Sequence, residues 1–262
     1  MTESLLVVED LDVRYGPSQA LFGVSMEVGV GSVTAVLGAN GAGKSTLART
    51  VSGLVPVAGG RVRFAGESLN GQPAHQIRRR GITYIPEGRG IFPGLSVVDN
   101  LRMAVAQERR GERATAIDRA IEMFPVLGQR RTQRAGSLSG GEQQMLALAR
   151  ALAIPPRLII ADEMSLGLAP IVAESVFQSL TEAAKRGITI VLIEQFVRRA
   201  LALADRCVIL TRGSVGWSGP ATEAHQEVLN RYLGDGQQST TVDDHRGIGS
   251  ALPPGATAKG RS

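Results

Sequence analysis

The stretch SVTAVLGANGAGKSTLARTVSG, residues 32–53, decides the fold. Its first third, SVTAVLG at 32–38, is a short apolar run that reads as a strand. It feeds straight into a glycine-rich loop and then a helix over 44–52, with Gly53 as its C′ residue. Within it GANGAGKS, residues 38–45, matches G-x-x-x-x-G-K-[ST] at every position, in the strand–loop–helix context that the pattern needs. Gly38, Ala39, Asn40, Gly41, Ala42 and Gly43 let backbone N–H groups curl around the phosphates of a nucleotide. Lys44 brings a positive charge to the terminal phosphates. Ser45 offers a hydroxyl to Mg²⁺, which takes hard oxygen ligands. Thr46 is expected to hydrogen-bond an α-phosphate oxygen.

A phosphate loop of this kind needs an acidic partner. RLIIADE, residues 157–163, is an apolar strand ending in Asp162 and Glu163. Asp162 is placed to hold the Mg²⁺ shell, and Glu163 to orient or deprotonate an attacking water.

A third stretch, LSGGEQQMLALARAL at 138–152, opens as a capped helix. Ser139 and Glu142 have the spacing of a capping box. Gly140 and Gly141 fill the first turn at a cost of about 1 kcal/mol each relative to Ala. Two glycines at a positive helix end allow a phosphate to approach bare N–H groups.

The remaining chain alternates strands and helices. Strands are expected over 4–15, 20–30, 61–66, 81–86, 188–194 and from Cys207 to 213; helices over 73–80, 171–186, 196–204 and 225–234. Residues 89–154 change to helical character. Ser96 with Asp99 forms a second capping box there, and a helix over 112–124 stops at Pro125. Alternation of this kind indicates an α/β fold with a mainly parallel sheet covered on both faces. The helical stretch is an insertion within one domain over 1–235. Residues 236–262, rich in Gly, Ser, Thr and Pro, are expected to be disordered.

Composition narrows the class. Charged residues are 20% and aromatics 4% of 262 residues, with a net charge of +5. Basic residues cluster at Arg78–Arg80 and at Arg130, Arg131 and Arg134 without interleaved aromatics, which favours a solvated basic surface over a nucleic-acid site. The lone Cys207 reads as a small buried hydrophobe. His75, His225 and His245 have no metal-ligand spacing. The N-terminal residues carry an early Glu and no basic run, so no signal peptide is expected. No apolar run approaches 18 residues. A cytoplasmic location follows, at a membrane only through a partner.

GANGAGKST, LSGGEQQ and LIIADE, in place along the chain, together resemble the ATP-binding cassette ATPases. The resemblance spans about 4–235. PEGRGIFPGLSVVDNL, LSGGEQQMLALARAL, SLGLAP and the closing YLG look like the ATP-binding subunit of branched-chain amino-acid importers, the shorter of two types. The resemblance implies a P-loop NTPase (ABC ATPase) fold with a mainly parallel core sheet, an antiparallel β subdomain and an inserted helical subdomain. It implies ATP and Mg²⁺ as ligands, and transmembrane permease subunits as partners. A second cassette, a copy of this chain or a paralogue, would pair head to tail, and a solute-binding protein would act indirectly. Ser139, Gly140, Gly141 and Glu142 would then act on the ATP held by the other cassette. Tyr15 would stack on adenine, and residues from 88 to 101 would face the permease. Glu87 stands where most cassettes place a Gln and keeps a carboxylate for Mg²⁺. Gln195 stands where most place a histidine, and can donate a hydrogen bond to the γ-phosphate without carrying a proton. Gly167-Leu168 replaces a coupling Asp, and Met164 a usual Pro. An importer for urea or another amide, a soluble cassette protein, and a regulatory subunit without turnover are the competing functions.

Overall fold

The computed structural model describes residues 3–224. The expected final helix at 225–234 and the tail at 236–262 lie outside the described residues.

The chain begins with two long strands, β1 (Ser4–Tyr15) and β2 (Ser18–Gly29), joined by a tight turn that pairs Tyr15 with Ser18. β3 (Val33–Gly38) and α1 (Lys44–Val51) follow, then β4 (Gly59–Phe64) and the two-residue β5 (Glu67–Ser68). α2 (Ala74–Arg79) leads to β6 (Ile82–Ile85). Four helices come next: α3 (Val97–Ala104), α4 (Arg113–Met123), α5 (Pro125–Gln129) and α6 (Gly140–Leu152). The chain then returns to alternation with β7 (Leu158–Asp162), α7 (Pro170–Lys185), β8 (Thr189–Ile193), α8 (Val197–Leu203), β9 (Arg206–Thr211) and β10 (Ser214–Pro220).

Two sheets result. The larger has the order β10-β9-β3-β8-β7-β6, parallel from β9 to β6, with β10 antiparallel on its edge. The smaller is antiparallel, in the order β2-β1-β4-β5. Burial patterns explain the division. Every residue of β3, β7 and β8 is buried, as for parallel strands covered on both faces. β1 instead shows a broken alternation of buried and half-buried positions, as for a sheet with one face toward the core. Leu6, Leu11 and Val13 of β1 join Val36, Leu47 and Ile193 in one apolar core, so the two sheets close on each other. Cys207 lies in β9 with no exposure, as its apolar neighbours imply.

α4 ends at Met123, before Pro125 as expected, and Pro125 itself opens α5, where its missing N–H costs nothing. Two expectations are corrected. At Ser96 only half of the capping box forms: Ser96 Oγ accepts from the Asp99 N–H, while the Asp99 carboxylate takes the Ser96 hydroxyl rather than the Ser96 backbone N–H. The strand expected to be the last, from Cys207, is followed by β10, which Gly and Ser conceal by interrupting its alternation and which pairs with β9 among the described residues.

Candidate nucleotide site

The central strand β3 lies between β8 and β9, and its C-terminal end opens into a cleft of about 680 Å³. Asn40, Gly43, Lys44, Ser45 and Thr46 line it from the loop and from α1, and Glu163 and Gln195 from the ends of β7 and β8. This is where an open parallel sheet binds ligands, outside the carboxyl ends of its strands.

The loop is built for an anion. α1 starts at Gly43 with φ +103 and has neither a side-chain cap nor an acid in its first turn. Its first N–H groups therefore lack partners within the helix. A Cβ at Gly43 would lie 2.5 Å from Leu21 Cδ2, so both sterics and backbone angle require glycine there. The fit to a phosphate chain is direct: orphan donors, a positive helix end and a buried ammonium converge.

Lys44 is 5% exposed. Its ammonium donates to Gly38 O at 3.0 Å and Ala39 O at 3.2 Å, and pairs with Glu163 Oε1 at 3.5 Å. The other Glu163 oxygen accepts from Gln195 Nε2 at 2.9 Å, and the same amide donates to Asn40 Oδ1 at 3.1 Å. Lys44, Glu163 and Gln195 thus form one connected cluster. Glu163 itself sits at φ +48, a left-handed conformation that costs a non-glycine residue of order 1–3 kcal/mol. Its N–H donates to Ile193 O at 2.8 Å, which ties the turn after β7 to the end of β8. Met164, where the resemblance leads one to expect Pro, is 1% exposed.

A divalent cation has oxygen donors beside the loop. Ser45 Oγ donates to Asp162 Oδ1 at 3.2 Å, and the Tyr84 phenol donates to Asp162 Oδ2 at 2.9 Å. Burial pushes the Asp162 carboxyl above its ordinary range, and the bonds from Tyr84 and Ser45 pull it back down. Burial also pushes the Tyr84 phenol up, and the nearby Asp162 adds to this, so Tyr84 stays a neutral donor. No group of three or more His, Cys, Asp or Glu forms a metal cage among the described residues. One hydroxyl and one carboxylate, open toward a phosphate loop, suit Mg²⁺ held jointly by protein, water and phosphate. Glu87 is exposed and lines the cleft, but it belongs to no such cage with Asp162 and Glu163.

Other expected residues lie apart from this cleft. Tyr15, 45% exposed, is not among the lining residues; the aromatic that lines the cleft is Phe22 of β2. The phenols of Tyr84 and Tyr15 both hold the Arg49 guanidinium above its usual pKa. Ser139, Gly140, Gly141 and Glu142 do not line the cleft either. The capping box at Ser139 forms in full: Ser139 Oγ accepts from Glu142 N, and Glu142 Oε2 accepts from Ser139 N at 2.9 Å. Glu142 also pairs with Arg130 at 2.6 Å. Gly141, however, has a reason within this chain. A Cβ there would lie 2.3 Å from Val172 Cγ1 of α7, so helix packing by itself demands glycine.

Sequence reasoning passed over Glu194 and Arg89, and misplaced Arg78. Glu194, 2% exposed, accepts from Ser165 Oγ at 2.7 Å and Ser165 N at 3.1 Å, pinning the loop after Glu163. An acid closing the apolar run ITIVLI was the available signal. Arg89, at φ +65, donates to Gln143 Oε1 and lies against Gly140. Arg78, expected on a solvated surface, is half-buried, and burial lowers its pKa.

Comparisons with known proteins agree with this geometry. The ABC transporter family model matches residues 21–165. The chain is 42% identical over 232 residues to the high-affinity branched-chain amino acid transport ATP-binding protein BraG of Pseudomonas aeruginosa, covering 88% of this chain and 100% of that one. It is 37% identical to the probable branched-chain amino acid transport ATP-binding protein LivF of Archaeoglobus fulgidus, covering 81% and 91%. Among solved structures, a nucleotide-free ATP-binding cassette from an ABC transporter superposes with a TM-score of 0.77 at 26% identity, covering 87% of this chain and 96% of that one. The ADP conformation of another such cassette superposes with a TM-score of 0.78 at 26% identity, covering 89% and 100%. The chain belongs to the ABC transporter family, as one of its nucleotide-binding ATPase cassettes.

Proposed function

We propose that this chain is the ATP-hydrolysing subunit of an importer for branched-chain amino acids. The observation that carries the ATPase reading is the Lys44–Glu163–Gln195 cluster at the phosphate loop. The solute class rests on the relatives named for branched-chain amino acid transport.

The residues divide the work as follows. Backbone N–H groups of residues 38–46 bind the phosphates, and Lys44 neutralises their charge. A phosphate chain in the loop competes with Glu163 for the Lys44 ammonium, which frees the carboxylate to accept a proton from water. Gln195, whose two amide N–H groups go to Glu163 Oε2 and Asn40 Oδ1, orients that carboxylate; to donate to the terminal phosphate it would give up the bond to Asn40. Ser45 and Asp162 would hold Mg²⁺, which when bound neutralises charge on the phosphates. Tyr15 or Phe22 supplies an aromatic face for the adenine.

The separation of Ser139–Glu142 from the cleft supports a site shared between two cassettes, with Ser139 and Gly140 reaching the nucleotide of the other. A groove of about 890 Å³ beside β6, lined by Arg78, Arg89 and Arg150, with Phe92 and Met103 exposed nearby, supports docking of a permease segment that carries carboxylates. No helix among the described residues is long and apolar enough to cross a membrane, so such docking would be what holds the chain at the cytoplasmic face.

The test is uptake of labelled leucine and labelled urea in cells lacking the chain and then supplied with wild type or Glu163→Gln. The reading expects leucine uptake restored by wild type alone and urea uptake unchanged. Urea uptake restored in place of leucine would reassign the solute, and equal leucine uptake with Glu163→Gln would remove Glu163 from catalysis. In purified Glu163→Gln, ATP hydrolysis should fall by about 10²–10⁴-fold, the usual contribution of a general base, with nucleotide affinity unchanged.

A further inference from the structure

Asp162 is held from two sides by different elements. Ser45 on α1 donates to Oδ1, and Tyr84 on β6 donates to Oδ2 at 2.9 Å. The register of β6 against β7 fixes this reach, because Tyr84 pairs with Ile160, two residues before Asp162. The two donors are not equivalent. Ser45 is itself a cation ligand on the reading above, so its oxygen is shared with the metal. The Tyr84 phenol lies on the opposite oxygen and competes with nothing in the cleft, since Tyr84 is not among the residues lining it. A carboxylate turns about its last torsion with little preference, so a single donor leaves the plane of Asp162 undefined. Two donors on opposite oxygens define it.

The Tyr84 ring has a second neighbourhood. It forms part of the wall of the arginine-lined groove, with Arg78, Pro86 and Arg150. One residue therefore donates to the cation-site carboxylate and also lines the groove.

We propose that Tyr84 is a positioning residue for the divalent cation, fixing Asp162 so that Oδ1 faces Ser45 and the phosphate loop. Anything that displaces the ring from the groove side disturbs the same carboxylate. The inference rests on Asp162 being a cation ligand, and its test separates the two claims.

The measurement is Mn²⁺ binding to the full chain in the presence of a non-hydrolysable ATP analogue, followed by electron paramagnetic resonance. Fluorescent trinitrophenyl-ATP binding in EDTA serves as the metal-free reference. Tyr84→Phe keeps the ring and removes only the hydroxyl. It should weaken Mn²⁺ binding by about tenfold, the scale of one hydrogen bond to a charged group, and leave metal-free nucleotide binding unchanged. Thr83→Val removes a neighbouring buried hydroxyl that has no hydrogen-bond partner among the described residues, and should change neither. Asp162→Asn should weaken Mn²⁺ binding more than Tyr84→Phe does. Unchanged Mn²⁺ affinity in Tyr84→Phe, or an equal loss in Thr83→Val, overturns the role of Tyr84 while leaving Asp162 in place. Unchanged affinity in Asp162→Asn overturns the cation-site reading itself.

Discussion

Glu163 carries an unfavourable backbone angle, a nearly dry environment and three ties at once. It sits at φ +48, is 8% exposed, pairs with Lys44, accepts from Gln195 and donates its N–H to Ile193 O. Strain of this kind persists only where the surroundings over-determine it, and here they do. Gln195 is the tie that can be cut without touching the charge pair. Gln195→Ala should lower kcat by roughly tenfold, as expected when a catalytic group loses its orientation, while the ATP dissociation constant stays unchanged in equilibrium binding. An unaltered kcat would show that the orientation of Glu163 does not depend on Gln195. At this scale the sequence was informative where chemistry demands a residue type. Lys44, Ser45, Asp162 and Glu163 were legible because a phosphate loop and an acid at a strand end have recognisable spacing. Tyr84 and Glu194 were not, because a tyrosine inside an apolar strand and an acid at its end read equally well as packing and solvent exposure.

At the scale of elements, the start of α6 answers to two demands. Its capping box forms as the Ser139–Glu142 spacing predicts, but Gly141 is already required by Val172 of α7. The glycine pair seen in the sequence thus has at least one cause unrelated to phosphate. Gly141→Ala should destabilise the chain by about 1–3 kcal/mol through overpacking, seen as a lowered urea midpoint. Adding Val172→Ala should restore most of the loss, since the added methyl then has room. A Gly141→Ala variant as stable as wild type, or a double variant no better than the single, would return Gly141 to a purely ligand-binding role. Helices and buried strands were readable from period and punctuation. β10 was not, since the glycines and serines of SVGWSGP hide its alternation, although its pairing with β9 is a local hairpin across Arg212-Gly213. Pro125 stops α4 as its sequence position implies and also starts α5, which the stop signal alone does not reveal.

Across the whole molecule, the P-loop cleft and the Ser139–Glu142 helix start lie apart, although both carry the features of phosphate sites. One chain therefore holds two halves that do not meet. The order of the three stretches in the sequence already pointed to this, because GANGAGKST and LIIADE follow strands of one parallel sheet, β3 and β7 with β8 between them, while LSGGEQQ belongs to the helices between β6 and β7. What the sequence could not show was the arginine-lined groove beside β6, which forms only when Arg78, Arg89 and Arg150 come together from separate elements. On the proposed reading, catalysis needs two cassettes, each completing the other's site. The direct measurement is the ATPase rate of the purified chain against its own concentration, for wild type and Ser139→Arg. The expected result is a specific activity that rises with concentration toward a plateau, and loss of activity in Ser139→Arg with nucleotide binding retained. A specific activity constant down to high dilution, together with an active Ser139→Arg, would contradict it.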